Sequence, residues 1–391
     1  MPTSTYDLII AGLGAVGSAA AYQSARRGAR VLGLDRFHPP HDHGSSHGQT
    51  RITRLAIGEG AQYVPFVKRS HVIWRDLEQS TGRTLLRQTG GLIFGSSSGR
   101  TETHGSSDFL QSTIQVAQAH HIEHRVLDAA ALATEFPQFR WSGDEQGYHE
   151  KHAGLLHPEE CIAAQLDLAQ RRGAILQTGE QVLHWKVQPG GIQVTTDQGT
   201  YQAARLLLTA GAWLPSWLRA LGSVAKVYRQ VMFWFSPDGP PEIFGPERMP
   251  VFIRVPDAKA ENFYGMPVVE GTAGGVKVAG EQFEISAQPD AIGPEWTASE
   301  AAAMHRHASP FLRISERCLR AAVCKYTMTP GHRFNIGPVE GDERIWFASA
   351  CSGHGFKHSA AVGEALAEVI LAGKSTLSLA PFAPAPPRKN S

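Results

Sequence analysis

The hydrophobic pattern opens on a short apolar run, "YDLIIAG". A helix-forming stretch, "SAAAYQSARRG", and a second apolar run, "ARVLGLD", ending at Asp35, follow it. Runs of this length bounded by glycine predict strand, turn, helix and strand, with Gly28 as the helix stop. "RFHPPHDHGSSHGQTRITR" carries no period and reads as loop. A helix is predicted over 63–82, with Trp74 and Leu77 on its apolar face. Alternation returns over 150–220, where "CIAAQLDLAQRRGA" is an amphipathic helix. "EQVLHWKV" and "GIQVTTDQGTYQAARLLLTAGAW" are strands around a hairpin turn at Pro189–Gly191. Aromatic strands fill 221–320 in antiparallel style ("YRQVMFWF", "MPVFIRV", "NFYGMPV", "GGVKVAG"), with a helix near 297–308. "AAVCKYT" reads as a buried strand holding Cys324, and "RIWFASACSGHGFKHSAAVGEALAEVILAG" predicts strand, glycine-rich turn and helix. The whole is an α/β (α+β) pattern: one nucleotide-binding domain assembled from distant pieces, with a second, β-rich domain inserted twice.

Length agrees, since 391 residues exceed one simple core. Thirty-seven basic and 36 acidic residues leave a net charge of +1, so no strong field draws nucleic acid or an anionic membrane. The four cysteines lack CxxC spacing, which argues against a disulfide framework and a metal site and fits a reducing compartment. No stretch approaches the roughly 18 apolar residues that cross a bilayer, and the first apolar run is too short for a secretory leader. A cytoplasmic protein is expected.

The chemistry begins at "GLGAVG". Gly12, Gly14 and Gly17 follow a strand and open a helix, and Asp35 ends the next strand. Such glycines let a backbone approach a pyrophosphate at the helix N-terminus, while the acid accepts from a ribose hydroxyl. This is the Rossmann fingerprint, and by itself it does not distinguish FAD from NAD. "SGHGFK" offers Gly353 and Gly355 before a helix starting near Lys357, which aims positive partial charge at a ligand. Arg51 and Arg54 in "TRITR" would share a face if helical, and a guanidinium with the Lys357 ammonium would make a carboxylate site. Lys277, between two valines on a strand, is either an edge-strand lysine or a buried cation beside a cofactor.

In order and spacing, "GLGAVGSAAAY", "PPHDHGSSHGQTRITRLAIGEGAQYVP", "YRQV", "FYGMP", "GVKVAG", "AVCKYT" and "SGHGFKHS" resemble the monomeric sarcosine oxidase and N-methyltryptophan oxidase family. These are flavoprotein amine oxidases of the D-amino-acid-oxidase-like superfamily. The resemblance runs from about residue 5 to 383. It implies a Rossmann-like FAD-binding domain from 1–85, 150–220 and 321–391, and a largely antiparallel substrate domain from 86–149 and 221–320. It further implies FAD tethered through an 8α-S-cysteinyl bond to Cys324, whose thiolate nearby cations such as Lys325 and Arg320 would promote. By the same matching, Gly12, Gly14, Gly17, Asp35, Arg36, Thr50, Arg51, Val182, Gly353, Gly355 and Lys357 line the FAD. Arg54 and Lys357 grip the substrate carboxylate, Arg51 and His47 lie against the flavin, Lys277 activates oxygen, and Tyr264 and Tyr326 wall the pocket. The implied reaction takes a secondary amino acid such as sarcosine to an imine, which water hydrolyses, while O2 becomes hydrogen peroxide. A monomer with no nucleic-acid or membrane partner is expected.

The chain departs from the family pattern at Ser46, Gln49, Glu281, Phe252 and Arg254, the last expected near the pocket, where it would favour a polar or acidic substrate. Oxidation of a cyclic imino acid (proline, pipecolate) or a primary amino acid stays open. A pyridine-nucleotide dehydrogenase shares the first turn but leaves Cys324 and "SGHGFK" without a role, and a silent FAD-binding protein leaves Lys277 and the carboxylate-binding cations without one.

Overall fold

The computed structural model describes residues 5–97, 108–256, 262–271 and 274–384. Two eight-stranded sheets and a small three-stranded one organise the described residues.

The first sheet is built on the opening apolar run. Thr5–Ala11 pairs in parallel with Val31–Asp35 on one side and Thr200–Leu208 on the other. Ile175–Thr178 extends it in parallel beyond Asp35, and Asp342–Ser349 does so beyond Leu208. Strands buried on both faces read as near-continuous apolar runs, and Leu8, Ile9, Ile10, Leu206, Leu207 and Leu208 are all fully enclosed. The hairpin Val182–Gln188 and Gly191–Thr196 forms around Pro189 and Gly190. Helix Ala15–Arg26 covers the sheet and packs on Ser359–Ala372 and on Pro158–Arg171. Its contact face is small: a Cβ at Gly363 would lie 2.3 Å from Ala19 Cβ.

The second sheet is antiparallel except where Val251–Arg254 runs parallel to Gly91–Ser96. Its long ribbon pairs Lys226–Pro237 with Ile314–Met328, placing Gln230 opposite Cys324 and Tyr228 opposite Tyr326. Helix Ala298–Ala308 begins at a capping box formed by Thr297 and Glu300. The predicted helix near 63–82 spans Val64–Thr81, with Trp74 and Leu77 buried and Gly82 ending it. "TRITR" is not helical. Arg51–Thr53 is a strand in the small sheet with Gly154–Leu156 and Leu86–Gln88, so Arg51 and Arg54 are not paired across a helix turn. Among the described residues, no helix is long and apolar enough to cross a membrane.

Candidate functional site

A long cleft runs between the two large sheets. Its two lobes share Ala15, Val16, Ser45, Ser46, Ala350 and Cys351 as common wall.

The first lobe is lined by Gly12, Gly14, Asp35, Arg36, Val182 and the Thr209–Trp213 turn. The three glycines do different work. A Cβ at Gly17 would fall 1.8 Å from Gly12 O, and one at Gly12 would fall 2.6 Å from Thr209 O, so both are demanded by backbone packing. A Cβ at Gly14 meets nothing within 4 Å; that glycine opens onto the cleft. Asp35 is nearly buried and accepts from Leu13 N at 2.7 Å and Phe37 N at 2.8 Å. Burial raises its pKa while both amides oppose the shift. Carboxylate oxygens have about four acceptor positions, so capacity remains for a hydroxyl. Arg36 reaches away to Asp290 at 3.0 Å, which also accepts from Trp213 Nε1 at 3.0 Å.

The second lobe is lined by Arg51, Arg54, Glu59, Tyr264, Glu281, Tyr326, Gly353, Gly355 and Lys357. Arg54 Nη2 meets Glu59 Oε2 at 2.6 Å, its Nη1 donates to Ala56 O, and its buried Nε has no acceptor among the described residues. Lys357 Nζ donates to His354 O at 2.8 Å and lies 4.0 Å from Glu59 Oε1. Burial drives the Lys357 pKa down to about 7, with Glu59 resisting and Arg54 assisting. Glu150, wholly buried, holds this loop by accepting from Leu55 N and Ala56 N at 2.6 and 3.0 Å. Across the lobe, the Tyr264 and Tyr326 hydroxyls meet at 2.9 Å, and burial pushes the Tyr264 phenol up to about 12.

Arg51, on the wall of the second lobe, belongs to a cationic cluster. Arg51 donates to Ser45 O at 2.8 Å and touches Met232 Sδ at 3.1 Å. Lys277 Nζ donates to Gly48 O and Thr50 O at 2.7 and 2.8 Å. Burial, then Arg51, holds its pKa well below the lysine range. Cys324 is buried beside Tyr326, Met232 and Cys351. Burial raises its pKa, and Arg51 and Lys277 pull it down. Lys325 contributes as expected, whereas Arg320 turns to the Trp234 ring, 4.2 Å away. His47 is buried, its Nε2 has no partner among the described residues, and burial with Arg51 and Lys277 lowers its pKa to about 3.

Gly17, His47, Thr50, Lys277 and Cys324 therefore stand behind the cleft wall rather than in it, while the other expected residues line it. Arg254 is a correction. Alternation along Val251–Arg254 turns Ile253 to the cleft, and Arg254 stacks on Phe311, 3.7 Å from its centroid, while Phe252 packs on Phe139 and Phe263. Arg254 is thus not among the residues lining the second lobe. Gly355 is also demanded internally, since its Cβ would meet Ala350 O at 1.7 Å. Glu59 was not foreseen. Its only sequence signal was an acid five residues after Arg54 in a glycine-rich turn.

A family model described as FAD dependent oxidoreductase matches residues 7–369. The chain is 38% identical over 383 residues to a monomeric sarcosine oxidase of Streptomyces avermitilis, covering 97% of each. It is 33% identical over 382 residues to an N-methyl-L-tryptophan oxidase of Salmonella dublin, covering 96% of this chain and 98% of that one. Its fold matches that of NikD, described as an unusual amino acid oxidase essential for nikkomycin biosynthesis, with a TM-score of 0.82, 24% identity and 98% of both chains covered.

Proposed function

This chain belongs to the FAD-dependent oxidoreductases, in the group of monomeric sarcosine and N-methyl-L-tryptophan oxidases, and from that premise we propose that it oxidises an N-methyl amino acid. The N-methyl amine loses two electrons and two protons to give an imine, water splits the imine to amino acid and formaldehyde, and O2 leaves as hydrogen peroxide. FAD, when bound, supplies the electron acceptor. The cleft fits such a group: Gly14 leaves open space at the start of helix Ala15–Arg26, and Asp35 faces the same lobe.

The carrying observation is Arg54, buried on the wall of the second lobe with Nε unmatched and Lys357 beside it. A desolvated donor without an acceptor costs stability until an anion fills it. We assign to Arg54 and Lys357 the substrate carboxylate, with Glu59 holding both cations in the unliganded protein. Tyr264 and Tyr326 then wall the amine end and exclude water, which favours the neutral amine that oxidation requires. Cys324 is the residue we assign to the 8α tether, Arg51 its activating cation, and Lys277 the cation on the oxygen side. His47, held neutral, backs the flavin side of the cleft. The FAD-binding domain comprises 1–85, 150–220 and 321–391, and the substrate domain 86–149 and 221–320. Strand Ile314–Met328 lies in the second sheet along its whole length, so that sheet carries residues from both sides of the 320/321 bound. The enzyme acts as a cytoplasmic monomer.

The test is aerobic assay of the purified protein with sarcosine, N-methyl-L-tryptophan, proline, pipecolate and glycine. Peroxide and formaldehyde in equal amounts from an N-methyl substrate are expected. Peroxide from proline or pipecolate alone moves the reading to cyclic imino acids, and no peroxide from any of them overturns it.

A further inference from the structure

The loop Gly48–Thr50 runs beneath Lys277, and one carboxylate bonds two of its N–H groups. Gly48 and Gln49 have φ of +94° and +65°. In this turn the two successive N–H groups point at one acceptor, the kind of backbone concavity that binds anions. Glu159 Oε1 fills it, 2.7 Å from Gly48 N and 3.0 Å from Gln49 N. The left-handed region is disfavoured for a residue with a Cβ, so Gln49 stays there only while something holds it. Glu159 sits in the first turn of helix Pro158–Arg171, where the helix favours its charge.

The same loop presents Gly48 O and Thr50 O to Lys277 Nζ. Lys277 is 1% exposed, so water does not replace an acceptor it loses. The loop is also tied from behind. Gln49 donates from its side chain to Glu270, Glu270 pairs with Arg320 at 3.4 Å, and Arg320 lies on the Trp234 ring. Lys277 Nζ is 5.0 Å from that ring's centroid, so the circuit returns to the lysine.

We propose that Glu159 is a positioning residue for Lys277: its carboxylate holds Gly48 and Gln49 in place and thereby keeps both carbonyls aimed at Nζ. The inference rests on the reading of Lys277 as the oxygen-side cation, and its test separates the two. Glu159→Ala removes the acceptor, whereas Glu159→Gln keeps an acceptor oxygen without charge. In the holoenzyme, rapid mixing with sarcosine without air reads flavin reduction, and mixing the reduced enzyme with O2 reads reoxidation. Glu159→Ala is expected to slow reoxidation by about tenfold or more, a barrier increase of about 1.4 kcal/mol, while leaving reduction within about twofold. Glu159→Gln should stay near wild type.

A second readout needs no turnover. Acetic anhydride labelling followed by peptide mass analysis should leave Lys277 unmodified in wild type and Glu159→Gln, and modify it in Glu159→Ala. Wild-type reoxidation in Glu159→Ala, or equal slowing of both half-reactions with Lys277 still unlabelled, overturns the proposal. If the alanine variant does not fold, Glu159→Asp, one methylene short, must show the same split in smaller degree, and wild-type behaviour there overturns it equally. Should Lys277→Met reoxidise normally, the oxygen-side reading of Lys277 falls, while labelling still decides whether Glu159 holds it.

Discussion

The hydroxyls of Tyr264 and Tyr326 meet at 2.9 Å, although their residues lie on strands that the sheet separates by two others. The pair closes the wall of the second lobe facing Gly353 and Glu281. One hydroxyl donates and the other accepts, so losing either leaves its partner buried and unmatched. Tyr264→Phe and Tyr326→Phe should each weaken kcat/KM for the N-methyl substrate. The double variant should cost less than their sum, with a coupling of about 1 kcal/mol. Strict additivity would mean that the contact does not matter in the working enzyme.

Lys357 gives a pH dependence with a definite sign. Its pKa in the folded chain is about 7, so the unfolded chain binds the extra proton above that pH, and its contribution to stability rises with pH from about 7 toward the ordinary lysine range near 10.4. Carboxylate binding by Lys357, as proposed, needs the ammonium and runs the other way. Acetate, followed by flavin absorbance, should bind tightest below pH 7 and weaken by up to about tenfold per pH unit above it. Lys357→Met should bind acetate weakly and with no such slope.

Arg54 should show itself mainly in KM. A charge-assisted contact to a carboxylate is worth roughly 1.5–3 kcal/mol, so Arg54→Met should raise the KM of the N-methyl substrate by about ten- to a hundredfold. Removing it also strips Glu59 of its 2.6 Å partner and leaves Lys357 at 4.0 Å.

The glycines of the first turn should separate in experiment. Gly17→Ala drives a methyl into Gly12 O and should prevent a folded protein from accumulating. Gly14→Ala meets no protein atom, so its melting should stay within about 0.5 kcal/mol of the parent. FAD affinity, measured by flavin fluorescence in a Cys324→Ser background, should still fall. Unchanged affinity would mean that the nucleotide does not approach Gly14.

The proposed tether can be tested by eye. Acid precipitation of wild type should leave the yellow colour in the pellet, as should Cys318→Ser and Cys351→Ser, while Cys324→Ser should release it to the supernatant. Cys351 is the stringent control, because it lines both lobes of the cleft and Cys324 lines neither.

The sequence by itself determined the opening strand, turn and helix, because an apolar run cut by glycines leaves few alternatives at that scale. It also determined the hairpin around Pro189, the strand holding Cys324, and the late glycine turn before helix Ser359–Ala372, each a local pattern read by a local rule. Tertiary structure decided which side chains meet. Glu59 joins Arg54 to Lys357 across nearly 300 residues, and Glu159 reaches back to Gly48 and Gln49. No period in the chain encodes such a contact. Arg254 marks the limit from the other side: its position in the strand was legible, but only the packing of Phe311 and Ile253 settles which face it takes. Burial is likewise a property of the assembled molecule, and burial moves Lys357 to about 7 and lowers Lys277. Residue types and their order specify what chemistry is present; the desolvation and convergence that tune it arise only when distant segments close around one cleft.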